Sequence, residues 1–206
     1  KEAIITNTIG TELKIHQFLS NYDLCPEILD YDLLNNRIVY ECLKYSVENS
    51  KHNQVFLEIF GKTLSKLHSL NYSDQDVDTF EGKVEGYRKI LSKVATTEIQ
   101  ESFALFDKLY KKPSKFVFCH NDLNTSNIFF NKQMKFIDWE YAGLNMPIYE
   151  IASIKKSFNF SSDQLNIFLK AYGQDFNPNE IEEFEVLVGF VEKIWQKVTN
   201  KLKSNQ

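Results

Sequence analysis

The sequence predicts an α+β protein with a small N-terminal sheet portion and a larger, mainly helical C-terminal portion. Two short segments, residues 28–31 and 37–43, have the composition of strands, whereas from residue 55 onward apolar residues recur every three or four positions. Only 7 Gly and 4 Pro occur in 206 residues, while 17 Phe and 10 Tyr supply apolar surface for a core. The change of pattern divides the chain into an expected N-terminal unit, residues 1–48, and a helical unit, residues 49–206.

One helix and two strands are expected in the first unit. Residues 11–19 have apolar side chains at helical spacing with a threonine as cap. Pro26 ends this helix, and the two strand segments flank a turn at Asn35 and Asn36. Residues 1–5 are expected to form the end of a further strand.

The second unit is expected to consist mainly of helices with one buried face. Ser161 and Gln164 form the pattern of a capping box, and Gly173 is placed to end the helix that follows. Asn177 and Pro178 mark the start of a last, long helix. The expected helices cover residues 55–70, 84–94, 97–110, 161–172 and 181–202.

The composition argues against several classes of protein. A formal net charge of −4 disfavours nucleic acid as a main partner, since neutralising many phosphates needs an excess of Lys and Arg. Cys25, Cys42 and Cys119 have unrelated spacings, which favours reduced thiols over disulfides or a zinc site. Because no apolar run is long enough for a bilayer and no signal peptide is recognisable, we expect no membrane insertion and a cytoplasmic location.

One segment interrupts the helical pattern, namely residues 116–141, FVFCHNDLNTSNIFFNKQMKFIDWEY. Its first apolar residues lead into a polar loop that contains Asp122 and Asn127. Two short strands, residues 128–130 and 134–137, then flank a polar turn, and Asp138 follows the second strand. Because strands joined by a tight turn are antiparallel, we expect Asn127 and Asp138 to be neighbours in space.

These three side chains have the chemistry that phosphoryl transfer requires. An amide oxygen and a carboxylate make a hard oxygen site that suits Mg²⁺, so Asn127 and Asp138 are candidate metal ligands. Asp122 is the candidate catalytic carboxylate, which orients a hydroxyl and accepts its proton. The alternative is a surface loop rich in turn-forming residues. The apolar strands on both sides of the H-x-D-x-x-x-x-N pattern favour the active site.

The runs CHNDLNTSNIFF and KFIDWEYAG resemble those of the choline/ethanolamine kinase branch of the aminoglycoside phosphotransferase and protein-kinase-like superfamily. The resemblance implies a two-lobed protein-kinase-like fold, with a small N-terminal sheet lobe that is incomplete in this chain and a larger helical lobe. It implies that Asp122 is the catalytic base and that Asn127 and Asp138 bind Mg²⁺. It also implies structural roles for His120 and for Glu150, which would bond the backbone near the catalytic loop.

The resemblance further implies where ATP binds. Backbone groups near Glu41 and Leu43 would meet the adenine at the hinge between the lobes, and the alternative for this segment is a plain edge strand. Lys1 and Glu12 match the basic and acidic pair of the small lobe, and the alternative for Glu12 is a solvated carboxylate at a helix N-terminus. The glycine-rich loop that covers phosphates in such kinases is absent, so we expect the chain to begin inside the small lobe.

The acceptor site is expected in the helical lobe. A quaternary ammonium such as that of choline donates no hydrogen bond, so aromatic faces and nearby carboxylates are the usual means of holding it. Trp195, on the last helix, and Tyr141, close to the metal aspartate, are candidates for such a cage, together with Glu140. The alternatives are a core position for Trp195 and a purely local structural role for Glu140.

The predicted function is therefore the transfer of the γ-phosphoryl group of ATP to a small amino alcohol, choline first and ethanolamine second, with Mg²⁺ as cofactor. A kinase for thiamine, an aminoglycoside or another small molecule is the nearest alternative, since thiamine kinases have a very similar IDWEYAG motif. An alternative of another class is a catalytically silent nucleotide- or ligand-binding protein, which the missing phosphate loop suggests.

Overall fold

The computed structural model describes residues 8–44, 47, 53–72, 77–93, 96–111 and 114–204. These residues form seven helices and six short strands. The helices are α1 (Ile9–Ser20), α2 (Gln54–Ser69), α3 (Phe80–Leu91), α4 (Thr97–Tyr110), α5 (Pro147–Ser157), α6 (Ser162–Tyr172) and α7 (Pro178–Lys203). The strands are β1 (Ile28–Asp32), β2 (Arg37–Tyr40), β3 (Val117–Cys119), β4 (Ile128–Asn131), β5 (Gln133–Phe136) and β6 (Gly143–Asn145).

The N-terminal portion is one helix followed by a β-hairpin, as predicted. Helix α1 begins slightly earlier than expected, because the hydroxyl of Thr8 accepts a hydrogen bond from the Thr11 amide and caps the helix. Strands β1 and β2 are antiparallel, and Asn36 takes a positive φ of 50° in the turn that joins them. Strand β2 ends at Tyr40, so the expected strand at residues 37–43 is too long. The expected strand at residues 1–5 and the boundary after residue 48 lie outside the described residues.

Helices α2 and α6 pack closely against each other in the C-terminal portion. A Cβ atom on Gly61 would lie 2.3 Å from the Phe168 carbonyl oxygen and 2.9 Å from the Tyr172 nitrogen, so only glycine permits this approach. The capping box of α6 is present, and Gly173 ends the helix with a left-handed φ of 87°. Both features agree with the prediction from sequence.

Helix α7 packs along α3, α4 and α5 and closes the helical portion. Helix α3 begins at Phe80, one turn before the predicted start at residue 84, because the Thr79 hydroxyl accepts from the Gly82 amide. A single apolar core runs from Ile15 on α1 to Val198 on α7. In the described ranges, none of the helices combines the length and the apolar character needed to cross a membrane.

Short strands support the segment that carries the candidate active site. The predicted hairpin is formed by β4 and β5, which pair from Ile128 with Phe136 to Asn131 with Gln133. Strand β3 pairs with β6, a three-residue strand that the sequence analysis did not predict. The amide of Phe136 also donates to the Leu24 carbonyl at 2.8 Å, so the hairpin is bonded to the N-terminal portion.

Candidate active site

Asp122 lies in the loop after β3, where two neighbouring amides orient its carboxylate. The side-chain amides of Asn124 and Asn127 both donate to the same oxygen, Oδ2, at 3.2 and 3.0 Å. Within the described part of the chain, Oδ1 of Asp122 receives no such bond and the carboxylate borders a cavity. Burial is the main cause that raises the pKa of Asp122, against the lowering effect of nearby His120. The carboxylate is thus fixed on one side and available on the other.

Asn127 and Asp138 lie just outside the two ends of the hairpin, as predicted. The Ile137 amide donates to the Asn127 carbonyl oxygen at 3.0 Å, which continues the strand pairing one step beyond Ile128 and Phe136. Asp138, the next residue, has a left-handed φ of 67°. Because the amide nitrogen of Asn127 is used on Asp122, its amide oxygen is the atom that can bind a cation.

Glu12 on α1 faces the same region. Its carboxylate accepts hydrogen bonds from the backbone of Trp139 and from the Tyr40 hydroxyl. Burial, followed by the nearby charge of Asp138, raises the pKa of Glu12 to about 7. The carboxylates of Glu12 and Asp138 therefore repel each other, which is the electrostatic setting that a divalent cation relieves. Lys1, the expected partner of Glu12, lies outside the described residues.

His120 joins the catalytic loop to the hairpin. Its ring is fully buried, its Nε2 donates to the Ile137 carbonyl oxygen at 2.9 Å, and its ring centroid lies 4.3 Å from that of Trp139. These contacts hold the residue that precedes Asp138. The structural role of His120 stays a prediction, which these contacts support.

A buried chain of hydrogen bonds lies on the other side of the catalytic loop. Oε1 of Glu150 accepts from the Asn121 amide at 2.6 Å, and Oε2 lies 2.7 Å from Nε2 of His68. Nδ1 of His68 lies 2.8 Å from the Tyr172 hydroxyl. Asn121, directly before Asp122, has a positive φ of 67°, so an unusual backbone conformation is held by this network. The expected bond between Glu150 and the loop backbone is present.

The side chain of Asn121 is held as well. Its amide nitrogen donates to the Tyr141 carbonyl oxygen at 3.0 Å, and its oxygen accepts from Asn145 at 2.8 Å. The oxygen of Asn145 in turn accepts from the Met146 amide at 2.7 Å and from the Tyr110 hydroxyl. The unpredicted strand β6 therefore ends in a residue that supports the catalytic loop.

A cavity of about 360 Å³ opens beside Asp122, between α3, α5 and α7. All three predicted acceptor-site residues, Glu140, Tyr141 and Trp195, line it. The rings of Tyr141 and Trp195 meet edge to face, with centroids 6.4 Å apart. The further lining residues are Phe80, Lys83, Tyr87, Asn121, Tyr149, Ser153, Val188, Val191, Glu192 and Gln196.

The cavity combines aromatic faces with negative charge. Asp122, Glu140 and Glu192 contribute carboxylates, and burial followed by the charge of Asp138 raises the pKa of Glu140. Burial likewise raises the pKa of Tyr87 to about 12, so its ring stays neutral near neutral pH. Aromatic faces and carboxylates around one space are suited to an organic cation.

The segment after β2 contains the predicted adenine-binding positions. The Glu41 amide donates to the Glu27 carbonyl oxygen at 2.9 Å, and the Glu41 carboxylate accepts from the Glu27 amide and from Lys135, both at 3.1 Å. The Glu41 side chain therefore joins β2 to the strand that leads to Asp138. Leu43 lies two residues further on, in a segment without regular secondary structure.

His68, Asn145 and Lys83 are among the residues of the site that were not predicted from the sequence. Lys83 had a detectable signal, because a lysine between Phe80 and Val84 interrupts the apolar face of an amphipathic helix. Asn145 bonds Asn121, 24 residues away, and His68 bonds Glu150, 82 residues away. The sequence around Asn145 and His68 does not indicate these contacts.

The comparisons with known proteins agree with this geometry. The model of the phosphotransferase enzyme family matches residues 6–184, and the chain belongs to this family. A LicA homolog of Metamycoplasma hominis is 28% identical over 216 residues, which cover 92% of this chain and 84% of the relative. The predicted membership and enzyme class, a phosphotransferase, are thereby confirmed.

Solved structures confirm the predicted fold class. Choline kinase LicA from Streptococcus pneumoniae superposes with a TM-score of 0.81 at 16% identity, covering 100% of this chain and 77% of that protein. A structure of LicA in complex with AMP has a TM-score of 0.74 at 17% identity, with 94% of this chain and 71% of that protein covered. The fold is therefore that of the two-lobed, kinase-like phosphotransferases.

Proposed function

We propose that this protein transfers the γ-phosphoryl group of ATP to the hydroxyl of a small amino alcohol, with choline as the preferred acceptor and ethanolamine as the second. The observation that carries the proposal is the cavity beside Asp122, which is lined by five aromatic side chains and three carboxylates. A trimethylammonium group gains from aromatic faces and carboxylates without needing hydrogen-bond acceptors. The likeness to a LicA homolog and to a solved choline kinase supports the same acceptor.

Asp122 is the catalytic base of this reaction. The amides of Asn124 and Asn127 fix Oδ2, and Oδ1 is left to orient the acceptor hydroxyl. As the hydroxyl oxygen attacks the γ-phosphorus, its proton passes to the Asp122 carboxylate and ADP leaves. Burial raises the proton affinity of this carboxylate, which suits a group that must accept a proton during the step.

Asn127 and Asp138 would hold Mg²⁺. The donor set fits, because it consists of an amide oxygen whose nitrogen is used elsewhere and a carboxylate close to the like charge of Glu12. When bound, Mg²⁺ neutralises negative charge on the phosphate oxygens. The protein contributes the placement of both ligands, since the hairpin and the bond from Ile137 to Asn127 fix the two ends relative to each other.

ATP is the proposed phosphoryl donor, and its adenine would lie near the backbone of Glu41 and Leu43. The AMP-bound LicA structure of the same fold supports a nucleotide in this class of protein. The bond of the Glu41 amide to Glu27 leaves other backbone groups of this segment to meet the base. The contacts of Glu12 with the backbone after Asp138 support its place beside the metal site.

A panel of acceptors tests the proposal. The purified protein is incubated with Mg-ATP and choline, ethanolamine, thiamine or an aminoglycoside, and ADP release and product mass are measured. We expect the highest kcat/KM with choline. Clear preference for thiamine or an aminoglycoside, or transfer to none of the four, contradicts the proposal.

Two variants of α7 link this activity to the cavity. Trp195→Ala removes an aromatic face and should raise the KM for choline on the order of tenfold, with little change in the KM for ATP. Phe190→Ala is the matched control, since Phe190 is an aromatic residue of the same helix that does not line the cavity. If both variants change the KM for choline equally, the cavity is not the acceptor site.

A further inference from the structure

Lys83 places a positive charge at the wall of the acceptor cavity. It lies on the core-facing side of α3, is 4% exposed, and lines the cavity together with Asp122 and Glu140. Its Nζ donates to the Ala142 carbonyl oxygen at 3.2 Å. A lysine is rarely buried to this degree, so its position needs a reason.

The ammonium group of Lys83 is balanced by negative charges on several elements. Asp78, in the segment before α3, and Glu140, after β5, both favour its charged form, whereas burial disfavours it more strongly and lowers the pKa of Lys83 to about 8. The amine is therefore charged at pH 7 and neutral above pH 9. The other titratable groups around the same cavity are Asp122 of the catalytic loop, Glu192 of α7, and Tyr87, Tyr141 and Tyr149.

We propose that Lys83 is a specificity-determining residue whose positive charge weakens the binding of cationic acceptors, and most of all of those with more than one positive charge. The inference rests on the proposed function, because it takes the cavity beside Asp122 as the acceptor site. Lys83 offsets part of the charge of the cavity carboxylates, and its repulsion of a bound compound grows with each positive charge that the compound carries. Polyamines and aminoglycosides, which carry several ammonium groups, are therefore disfavoured more strongly than choline.

Choline is a suitable probe of this charge because its own charge does not change with pH. Lys83 and a bound choline repel each other while the lysine is protonated. When Lys83 loses its proton, the repulsion disappears and choline binds more tightly. The uncharged isostere 3,3-dimethylbutan-1-ol has the same shape, and it should not respond to the charge of Lys83.

The test is calorimetric measurement of choline binding at pH 7 to 9.5 to the wild-type protein and to Lys83→Met and Lys83→Arg. We expect the wild-type dissociation constant to fall on the order of fivefold over this range. Lys83→Met should bind tightly at every pH, and Lys83→Arg weakly at every pH, because arginine keeps its charge. Binding of 3,3-dimethylbutan-1-ol should differ little among the three proteins.

Lys89→Met, on the exposed face of α3, is the matched control and should behave like the wild type. A wild-type choline affinity that is constant from pH 7 to 9.5 overturns the inference, even if the Lys83 variants do not fold. Equal changes for choline and its uncharged isostere in Lys83→Met also overturn it, since they indicate a purely structural role. Phosphocholine formation by the wild type distinguishes failure of the inference from failure of the proposed function. If phosphocholine is formed, either of these binding results overturns the role of Lys83 alone. If it is not formed, the proposed function is wrong.

Discussion

The carboxylate of Glu150 accepts a hydrogen bond from the backbone amide of Asn121, at 2.6 Å. The bond joins α5 to the residue directly before Asp122, at a point where the backbone has a positive φ of 67°. His68 bonds the second oxygen of the same carboxylate at 2.7 Å. The position of Asp122, the proposed catalytic base, thus depends on two residues that do not line the cavity beside it.

Replacing Glu150 with glutamine should therefore impair catalysis. Glu150→Gln removes the negative charge and leaves a single accepting oxygen, so the Asn121 amide and Nε2 of His68 can no longer both donate to this buried side chain. We expect kcat to fall on the order of tenfold or more, with a smaller change in the KM for ATP. Steady-state kinetics with both substrates measure this split.

Tyr172→Phe is the companion variant, because it removes only the hydroxyl at the far end of the same chain. Its effect on kcat should be clearly smaller than that of Glu150→Gln. A wild-type kcat for Glu150→Gln, in protein that folds normally, would show that the catalytic loop does not need this support.

Because α2 and α6 are in close contact at Gly61, the addition of a single methyl group there should lower the stability of the fold. In Gly61→Ala the added methyl group would lie 2.3 Å from the Phe168 carbonyl oxygen, so the two helices must move apart. We expect the free energy of unfolding to fall by roughly 1–3 kcal/mol, despite the better helix propensity of alanine. Urea denaturation measures it.

Gly189→Ala is the control for this substitution, since a methyl group there would lie 3.9 Å from the nearest atom, in the Lys156 side chain. It should leave the stability unchanged or raise it by about 0.5–1 kcal/mol. Equal losses in both variants would mean that α2 and α6 do not approach each other this closely.

The buried ring of His16 should make the stability of the fold depend on pH. The ring is fully buried on α1 and stacks on Tyr40 at 4.6 Å, and burial, followed by nearby His120, lowers its pKa from 6.5 to about 4. Between pH 6.5 and 4 the unfolded chain binds a proton on His16 more readily than the folded protein does. The stabilisation from the neutral His16 ring is therefore fully present above pH 6.5 and is lost as the pH falls through 4. The expected loss is roughly 3 kcal/mol of unfolding free energy.

His16→Phe keeps an aromatic ring at this position and removes the titrating group. The difference between the wild type and His16→Phe in urea denaturation should widen as the pH falls from 6.5 to 4, in favour of the variant. Parallel stability curves over this range would contradict a neutral, buried His16.

Local patterns predicted the parts of the fold that depend on local chemistry. The hairpin that separates Asn127 from Asp138 follows from two apolar runs and a polar turn, and the end of α6 follows from Gly173. Strand β6 has three residues and no apolar alternation, so nothing in its sequence distinguishes it from a loop. Its pairing with β3 is a tertiary interaction over 24 or more residues.

In the candidate site, too, the residues close together in sequence were predicted and those that depend on tertiary contacts were not. Asp122, Asn127 and Asp138 lie within one short segment, where spacing alone indicates their chemistry. The partner of Glu150, His68, lies 82 residues away, and its role depends on how α2 and α5 both pack against β3. The burial of Lys83 was not predicted, because a charged residue on a helix is usually solvated. The local sign of the exception is its position on the apolar face of α3, between Phe80 and Val84, where it is 4% exposed.

In the proposed reaction Asp122 accepts the proton of the acceptor hydroxyl, while Asn127 and Asp138 would hold the Mg²⁺ that accompanies ATP. The most direct test is the rate of phosphocholine formation from Mg-ATP and choline, measured together with calorimetric Mg-ATP binding in Asp122→Asn and Asp138→Asn. We predict a rate at least about 100-fold lower in Asp122→Asn with Mg-ATP binding retained, and weakened Mg-ATP binding in Asp138→Asn. Phosphocholine formation at the wild-type rate by Asp122→Asn would contradict the role of Asp122 as catalytic base.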